Sequence, residues 1–433
     1  MVNWSELPDL VAVGLLTAAF ASVARHNPTR DSWIWLTGWL MIAIHFAAFV
    51  FLSAPGYWGV MAEIVGIVAL AWAGILFMWA SIPYRMEASS RWIVGSLLLS
   101  NAIYISLLIA RPANERILIP AAVLLGAAPL AVALAWIRKT NPPLRWVGVS
   151  LYGALAIFLL LFQMRPGNGA DLALNAVLFT VYLSCSIHFF FGYRRATAGA
   201  FITIAGFLAW ANVFTLAPVI MSVWPSIHIE SEVWNLPKFV VAVGMILLRL
   251  EDQIEYNKHL ALHDHLTGLP NRRLYQDRLA NTLVRARRSE AQIALLVIDL
   301  DNFKHLNDAY GHHVGDMVLQ RVASLFTSRI RRSDTVARTG GDEFSVIIEE
   351  PTSRAAAEYV SRSLMQLLDE PLDLGEHTVR VGASVGIAVF PEDAVEIERL
   401  CIAADLRMYD AKHANHSLPR LESSQPAVMR TVD

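Results

Sequence analysis

Long apolar segments separated by short polar connections fill the first 250 residues of the chain. A helix needs roughly 17 to 25 apolar residues to cross a lipid bilayer, and the segments have that length. Eight are predicted at residues 8–24, 33–53, 59–80, 93–110, 117–137, 146–163, 172–191 and 200–222, with a ninth candidate at 233–250. The pattern predicts an N-terminal all-α polytopic membrane domain of eight or nine transmembrane helices over residues 1–250.

The pattern changes in the second half of the chain. Residues 293–298 form a continuous apolar, β-branched run, which is typical of a strand buried on both faces. Asp299 and Asp301 follow this strand directly. Two further strands are predicted at 335–338 and 344–348, joined by a turn that contains two glycines and two acidic residues. This half therefore predicts a folded domain with a buried sheet.

The composition supports a division into two parts. The whole chain is 55% hydrophobic and 17% charged, with a mean hydropathy of +0.45. Residues 1–250 hold 14 Lys and Arg and 9 Asp and Glu, whereas the remaining residues hold 21 and 28. The near-neutral total thus joins an apolar, slightly basic half to a polar, acidic one. This excludes a single mixed core and a polycationic nucleic-acid binder.

The charges in the predicted loops indicate the orientation, because Lys and Arg accumulate on the cytoplasmic side of a membrane. The odd-numbered loops carry nine basic residues: Arg25, Arg30, Arg85, Arg91, Arg138, Lys139, Arg145, Arg194 and Arg195. The even-numbered loops carry three or four: Arg111, Arg116, Arg165 and, at the edge of the ninth segment, Lys238. We expect the N-terminus outside and, if the ninth segment spans, the polar half in the cytoplasm.

Neither cysteine nor the N-terminus adds a further feature. Cys185 lies in an apolar segment and Cys401 in the polar half, so we expect neither a disulfide nor a cysteine metal site. The first six residues lack the basic segment of a cleavable signal peptide. We therefore interpret the first apolar segment as an anchor that is retained.

Five polar residues interrupt the apolar segments: His45, Glu63, Asn101, His188 and Asn212. Ionisable groups inside a membrane are costly and often functional, and two histidines can ligate haem or a metal. No paired spacing supports such a ligand set, which favours interhelical hydrogen bonds instead. The pattern leaves open whether the membrane part is a sensor or a transporter.

The ninth segment continues into a helical connector, predicted at 251–263. Leu247, Leu250, Ile254, Asn257 and Ala261 follow a 3-4-3-4 spacing, with charged residues outside the stripe. Such spacing is typical of a short two-stranded coiled coil. On the pattern alone, a solvated helix end is an equal alternative.

The glycine turn and the first strand can together form a cation site. Gly340 and Gly341 allow positive φ and a close backbone approach, which favours phosphate binding. If the hairpin packs beside the first strand, Asp299 and Asp342 face each other. Two hard oxygen ligands, completed by phosphate oxygens, suit Mg²⁺. Each of these features is common when it occurs singly.

Together the motifs resemble the GGDEF family, the diguanylate cyclases, over roughly residues 255–416. The motifs that carry the resemblance occur in the family's order: Asp264-His265-Leu266-Thr267-Gly268-Leu269-Pro270-Asn271-Arg272-Arg273, then Asp299-Leu300-Asp301-Asn302-Phe303-Lys304 with Asn307, Gly311-His312 and Gly315-Asp316, then Gly340-Gly341-Asp342-Glu343-Phe344, Ser384-Val385-Gly386-Ile387-Ala388 as a second central strand, and Ala404-Asp405 with Met408-Tyr409-Asp410-Ala411-Lys412. The resemblance implies an α/β GGDEF domain, similar to nucleotidyl cyclases, with a central sheet flanked by helices, at 264–416.

The resemblance also implies the catalytic and metal residues. Asp299, Asp342 and Glu343 would hold Mg²⁺ (or Mn²⁺), with the Leu300 carbonyl as a further ligand. Asp342, Glu343 and Lys304 would be catalytic. An ammonium at Lys304 can neutralise charge that builds on the phosphates.

The substrate-binding residues that the family implies are Asn307, Asp316, Gly340, Gly341 and Lys412. Asn307 and Asp316 would read guanine. A carboxylate accepts from guanine N1–H and the 2-amino group, whereas adenine offers neither donor and leaves the carboxylate unpaired. Lys412 would contact the triphosphate.

The last helix departs from the family at one position. The family places an Arg four residues after this Lys, and the chain has His416 there. Phosphate binding by this residue is expected to be weaker or pH-dependent.

The family joins two GTP molecules into cyclic di-GMP with release of two pyrophosphates. Each domain binds one GTP, and the 3′-hydroxyl of one attacks the α-phosphate of the other. The resemblance therefore implies a homodimer as the active form. It places the protein in the bacterial inner (cytoplasmic) membrane, in contact with the lipid bilayer, with the catalytic domain in the cytoplasm and no nucleic-acid partner.

A product-binding site is implied by Arg331-Arg332-Ser333-Asp334, which matches the family's RxxD inhibitory motif at the expected distance before the glycine turn. Arg331 and Asp334 would bind cyclic di-GMP as an inhibitor, since an Arg fork pairs with phosphate or the guanine edge. Arg362 is placed for a second contact. The alternative is a solvated basic stretch.

A different class remains open, a non-catalytic receptor that binds GTP or cyclic di-GMP and signals through partners. Retention of the catalytic, metal and guanine residues argues against it. Residues 417–433 are expected to form a disordered tail, without a phosphodiesterase domain of the EAL type.

Overall fold

A computed structural model describes residues 3–26, 28–81, 89–110, 115–135, 142–163, 169–193, 196–226, 231–349 and 353–417. The chain divides into two compact units, Met1–Gln253 and Ile254–Asp433. The side chain of His416 and the predicted tail from residue 418 lie outside the described residues. Most of the basic loop residues from which the membrane orientation was predicted also lie outside the described residues.

The N-terminal unit is helical throughout its described part. After a short 3-10 helix, Trp4–Glu6, it contains α1 (Leu7–His26), α2 (Arg30–Phe49), α3 (Tyr57–Ala80), α4 (Ser89–Ala110), α5 (Glu115–Ala135), α6 (Pro142–Gln163), α7 (Gly169–Gly192), α8 (Ala198–Val223) and α9 (Ser231–Leu262). Each of the nine predicted apolar segments is therefore a helix. The ninth continues without a break through the predicted connector to Leu262.

Among the described residues, seven helices are long and apolar enough to cross a membrane: α1, α2, α3, α5, α7, α8 and α9. The apolar parts of α4 and α6 are shorter, Val94–Ala110 and Trp146–Phe162. By length and composition the structure thus supports seven spans, where the sequence predicted eight or nine.

Aromatic side chains form much of the core of this unit. Trp39 stacks on Phe20 with ring centroids 5.5 Å apart, and Tyr182 stacks on Trp210 at 4.1 Å. All four rings are at most 2% exposed. Such ring pairs add about 0.5–1.5 kcal/mol each beyond the area that they bury.

The two histidines singled out in the sequence make hydrogen bonds to backbone carbonyls. His45 Nδ1 lies 2.9 Å from Gly66 O of the neighbouring helix, and His188 Nδ1 lies 2.8 Å from Ser184 O of its own helix. The interhelical hydrogen bond is thus found for His45. His188 bonds within α7.

A buried polar cluster joins α1 to α9, and the sequence did not single it out. Asn235 Nδ2 donates to Asp9 Oδ2, and Lys238 Nζ donates to Asn235 Oδ1, both at 2.5 Å. The Lys238 ammonium also lies 4.5 Å from the centre of the Phe46 ring. Lys238, counted above as an edge charge, is therefore only 6% exposed within the unit.

The C-terminal unit combines helices with a four-stranded sheet. Its elements are α10 (Arg272–Ser289), β1 (Ile293–Asp301), α11 (Phe303–Tyr310), α12 (His312–Arg329), β2 (Thr335–Arg338), β3 (Glu343–Ile348), α13 (Arg354–Asp369), β4 (Leu372–Asp373), β5 (Thr378–Val379), β6 (Gly382–Phe390) and α14 (Ile397–Ser417). The described sheet has the order β2-β3-β1-β6, all antiparallel, and β4 pairs with β5 separately.

The predicted buried strand and the hairpin are confirmed. The first eight residues of β1 are buried, and β3 lies beside β1 with Asp299 opposite Glu343. β6, expected to be central, lies at the edge of the described sheet beside β1. The register of β1 with β3 places the acidic end of β1 against the start of β3.

A close approach between α14 and β6 fixes the position of the last helix. A Cβ atom added at Gly386 would overlap the Ala404 carbonyl oxygen and the Met408 backbone nitrogen. Only glycine lets the helix lie this close to the strand. This packing holds the C-terminal turns of α14 over the end of β1.

An ion-pair network ties α13, the end of β6 and α14 together. Asp393 accepts from both terminal nitrogens of Arg407 at 2.7 and 2.8 Å, from Arg354 at 2.7 Å and from the Val389 backbone nitrogen at 2.7 Å. Hydrogen bonds from Arg407 are the main cause that holds the pKa of Asp393 well below its usual range. The network stabilises the ionised form of one nearly buried carboxylate.

We expect Asp393→Asn to lower the free energy of unfolding of the C-terminal unit by about 2 kcal/mol, since the arginines are partly exposed. Because the folded pKa lies below the unfolded one, the contribution is present above about pH 4 and is lost as the pH falls towards the folded pKa. Urea denaturation of the full chain, read by proteolysis of residues 254–417, checks both effects. Glu396→Gln, which removes the exposed pair with Arg399, should cost under about 0.5 kcal/mol. Equal losses of unfolding free energy in the two variants would contradict a stabilising role for the Asp393 network.

Candidate active site

The acidic residues predicted at the strand ends meet at one edge of the sheet. Asp299 and Glu343 are register partners on β1 and β3, and the Leu300 backbone nitrogen donates to the Asp342 carbonyl oxygen at 3.2 Å. Burial and then the charges of Asp299 and Asp342 raise the pKa of Glu343, and Asp405 adds to the effect. Carboxylates that repel one another in this way are stabilised by a nearby positive charge.

Lys412 contacts this cluster directly. Its Nζ lies 2.5 Å from Asp299 Oδ1, and the Asp299 side chain is only 10% exposed. The hydrogen bond to Asp299 is the main cause that raises the pKa of Lys412. The structure thus brings the predicted phosphate-binding lysine onto a predicted metal ligand.

The positive φ predicted for the glycine turn is not found. Neither Gly340 nor Gly341 has a positive φ, so left-handed backbone is not the reason for glycine here. A Cβ atom at Gly340 would lie 2.6 Å from Glu343 Oε2, whereas one at Gly341 would meet nothing within 4 Å. At residue 340 the absence of a side chain leaves room for the Glu343 carboxylate in its present position.

Arg338 holds this turn in place, and sequence reasoning missed it. Its guanidinium donates to the Gly341 carbonyl oxygen at 2.6 and 3.0 Å and to Asp264 Oδ1 at 2.9 Å. The same Asp264 oxygen accepts from the Thr267 backbone nitrogen and hydroxyl. The sequence did contain a signal for this contact, because Arg338 closely precedes the glycine turn and Asp264 is the first residue of the first family motif.

The opening motif also contacts the end of α9. The Asn271 side chain donates to the Ala261 carbonyl oxygen at 2.8 Å, and its backbone nitrogen donates to Leu262 O at 2.9 Å. The Arg338 backbone nitrogen donates to Pro270 O at 2.9 Å. Hydrogen bonds therefore run from the last turn of α9 through the opening turn to the β2–β3 hairpin.

The predicted guanine-reading residues lie on consecutive helices. Asn307 is on α11, Asp316 is in the second turn of α12, and Gly311, at φ +84°, separates the helices. A Cβ atom at Gly315 would overlap Asn307 Oδ1, so glycine is needed for this close approach. The Asn307 side chain thus lies against the backbone that precedes Asp316. Lys304 is exposed in the first turn of α11.

The predicted inhibitory motif forms a turn after α12. Asp334 accepts from the Arg331 backbone nitrogen at 3.3 Å and from the Glu349 backbone nitrogen at 3.1 Å. Its carboxylate therefore supports the local fold. The Arg331 side chain is exposed.

Arg362 lines a groove of about 320 Å³ between α13 and β6, together with Ser361, Met365, Gln366, Asp369, Ala383, Ser384, Val385 and Ala411. Within the described residues, no hydrogen bond or ion pair joins Arg362 to Arg331 or Asp334. Arg329 at the end of α12 does bond Ser363 of α13. The motif and Arg362 therefore lie on neighbouring elements.

The donor atoms fit a hard divalent cation. Asp299, Asp342 and Glu343 supply only carboxylate oxygens, the ligands that Mg²⁺ and Mn²⁺ prefer. Among the described residues, no three acidic, imidazole or thiol groups are already arranged around one metal position. In this structure a lysine occupies the position beside Asp299.

The fold and site define the class of the C-terminal unit. Residues 261–417 match the family described as "Diguanylate cyclase, GGDEF domain", so this unit contains a GGDEF domain. The family's diguanylate cyclases generally use divalent metal ions.

Curated relatives match over the same region. The chain is 40% identical over 190 residues to the bifunctional diguanylate cyclase/cyclic di-GMP phosphodiesterase MucR of Pseudomonas aeruginosa, covering 40% of this chain and 27% of MucR. It is 38% identical over 184 residues to the diguanylate cyclase TpbB of the same organism, covering 42% of each. The chain thus spans less than half the length of these relatives.

A solved structure matches as well. The crystal structure of the GGDEF domain of YfiN (TpbB) from P. aeruginosa is 39% identical, with a TM-score of 0.34, and the match covers 34% of this chain and 92% of that domain.

Proposed function

We propose that this protein is a membrane-bound diguanylate cyclase that condenses two GTP into cyclic di-GMP and two pyrophosphates. The observation that carries the proposal is the convergence of Asp299, Asp342, Glu343 and Lys412 at one sheet edge. Each is a residue that the matched family uses for metal or phosphate. Asn307 and Asp316 supply the guanine contacts from the adjacent helices.

Guanine selection follows from the hydrogen-bonding groups. The Asp316 carboxylate accepts from N1–H and the 2-amino group, and Asn307 offers both a donor and an acceptor. Adenine would leave the carboxylate unpaired, which costs about 1–3 kcal/mol or more. The close packing of Asn307 on Gly315, the residue before Asp316, supports this assignment.

Asp299, Asp342 and Glu343 would hold Mg²⁺ or Mn²⁺, with the Leu300 carbonyl as a further ligand. Such an ion, when bound, stabilises charge on the phosphates and lowers the pKa of a bound hydroxyl. Asp342 and Glu343 would accept the proton of the 3′-hydroxyl or hold the metal that lowers its pKa. Lys304 and Lys412 supply positive charge for the triphosphate.

Two copies are required, because one domain binds one GTP and the hydroxyl and α-phosphate come from different molecules. The connector stripe on α9 supports pairing with a second copy, since Leu250 is 53% and Ile254 45% exposed in the single chain. Seven long apolar helices support the bacterial inner membrane as the location. A signal from the membrane unit would then regulate how the domains pair.

Product inhibition at Arg331 and Asp334 belongs to the same proposal. Arg331 supplies an exposed guanidinium, and Arg362 lies on the neighbouring helix. Asp334 has a structural role too, through its bonds to the backbone of Arg331 and Glu349.

A cyclase assay on the full chain in detergent, with GTP and Mg²⁺, tests the proposal. Synthesis of cyclic di-GMP with release of pyrophosphate is the expected result. Binding of GTP without any product, under conditions where the protein is dimeric, would favour the non-catalytic receptor.

We expect Arg338→Lys to lower turnover roughly tenfold or more while KM for GTP changes less. A lysine cannot bond Gly341 O twice and Asp264 at once, and misplacing the turn by 1 Å can cost about 10²-fold in rate. Steady-state kinetics measure the split between kcat and KM. Arg285→Lys, at the exposed pair with Glu349, is the matched control and should keep normal turnover. Equal kinetics in both variants would exclude a positioning role for Arg338.

A further inference from the structure

Lys412 has two partners that compete for its ammonium, one in the structure and one in the proposed reaction. In the structure its ammonium lies 2.5 Å from Asp299 Oδ1, so it neutralises a residue of the acidic cluster. In the proposed reaction the same ammonium contacts the triphosphate, while Asp299 holds a metal ion. A divalent cation bound to Asp299 would repel the ammonium at such short range and so weaken its contact with the carboxylate.

The side chain can move between these roles. Lys412 is 35% exposed, whereas Asp299 is 10% exposed and fixed on a buried strand. The backbone of α14 is held in place by its packing on Gly386. A change of partner therefore requires only rotation of the flexible lysine side chain.

We propose that Lys412 acts as an internal counter-ion that occupies Asp299 in the nucleotide-free protein, and that metal binding releases it to the triphosphate. This rests on the proposed function and assigns Lys412 a second, competing role at the same site. The lysine keeps the acidic cluster neutralised and weakens metal binding in the absence of GTP. Metal bound at Asp299 in turn makes the ammonium available for phosphate.

The exchange couples the two ligands. If metal frees Lys412 for the triphosphate, then GTP, by retaining the freed lysine, strengthens metal binding by the same factor. The lysine thereby favours joint binding of metal and nucleotide over binding of metal alone.

The first part of the proposal is that Lys412 occupies Asp299 in the absence of nucleotide. Electron paramagnetic resonance of Mn²⁺ binding to the full chain in detergent, without nucleotide, tests it. Lys412→Met removes the charge and keeps the length of the side chain. A charge-assisted hydrogen bond at a partly exposed site corresponds to roughly tenfold in an equilibrium constant. We expect Lys412→Met to bind Mn²⁺ about tenfold more tightly than the wild type.

Arg272→Met is the matched control. Arg272 acts on Glu343 and Asp405 through its charge, and no hydrogen bond to either is present in the described structure. Losing a nearby positive charge without a direct contact should change Mn²⁺ affinity about twofold or less. An equal gain in both variants would show that general electrostatics, and not displacement of Lys412, sets the affinity.

The second part of the proposal is that metal binding releases Lys412 to the triphosphate. It is tested with 3′-deoxy-GTP, which lacks the attacking hydroxyl and so binds without reacting. With EDTA present, Lys412 stays on Asp299, and Lys412→Met should bind the nucleotide nearly as well as the wild type. With Mg²⁺ present, the variant should bind it roughly tenfold more weakly. An equal loss under both conditions would overturn the exchange.

Asp342→Asn separates failure of this inference from failure of the proposed function. If Mn²⁺ binds the wild type and Lys412→Met equally, and Asp342→Asn abolishes binding, the metal site stands and only the exchange is wrong. If binding is independent of Asp342 in every variant, both the exchange and the metal site of the proposed function are wrong.

Discussion

Replacing Asp342 by Ala should abolish synthesis of cyclic di-GMP, with a loss of at least roughly 10²–10³-fold in turnover. The side chain belongs to the acidic cluster at the end of β1 and the start of β3, and its loss removes one of the proposed metal ligands. The fold should be unaffected, because the charge of Asp342 helps to raise the pKa of Glu343 and its removal relieves repulsion. Product formation from GTP, followed by chromatography, measures the loss.

The control for this variant is Asp373→Ala. Asp373 is an exposed carboxylate that bonds the Gly375 backbone nitrogen in the separate two-stranded sheet. Asp373→Ala removes a negative charge, as Asp342→Ala does, but at a position away from the proposed site. This variant should keep wild-type turnover. Near-normal turnover in Asp342→Ala, with thermal unfolding unchanged in both variants, would rule out the metal assignment.

The sequence was sufficient for the elements whose pattern is local. A run of β-branched residues predicted β1, and the two glycines followed by acidic residues predicted the β2–β3 hairpin. The register of these strands places Asp299 opposite Glu343, one residue further along than the Asp342 that the sequence predicted to face it. Nine apolar segments likewise predicted nine helices, because length and hydropathy are local properties.

What the sequence could not give depends on distant contacts. Lys412 and Asp299 are 113 residues apart, and their contact needs α14 to pack on β6 through Gly386. The bonds of Arg338 to Asp264 span 74 residues. The positive φ predicted for the glycine turn was wrong, and the contact that the structure shows at Gly340 is with the Glu343 side chain.

Feedback by the product gives the second large effect. Arg331→Ala should weaken inhibition by cyclic di-GMP tenfold to a hundredfold, since each lost charge-assisted hydrogen bond contributes roughly 1.5–3 kcal/mol. Arg331 bonds Asp334 through its backbone nitrogen and carbonyl oxygen, so losing the exposed side chain should cost no more than about 0.5 kcal/mol of stability. Asp334→Ala is a poorer probe, because it also removes the acceptor for the Glu349 backbone nitrogen.

Inhibition curves for initial rates at rising cyclic di-GMP measure the effect in the full chain. Arg332→Ala is the matched control, because Arg332 is the next residue, equally charged and exposed. If charge alone attracted the product, both variants would lose affinity alike. If the RxxD motif binds it, only Arg331→Ala should continue to accumulate product beyond the concentration at which the wild type stops. Identical curves for Arg331→Ala and the wild type would mean that the motif is a solvated turn and that any feedback arises elsewhere.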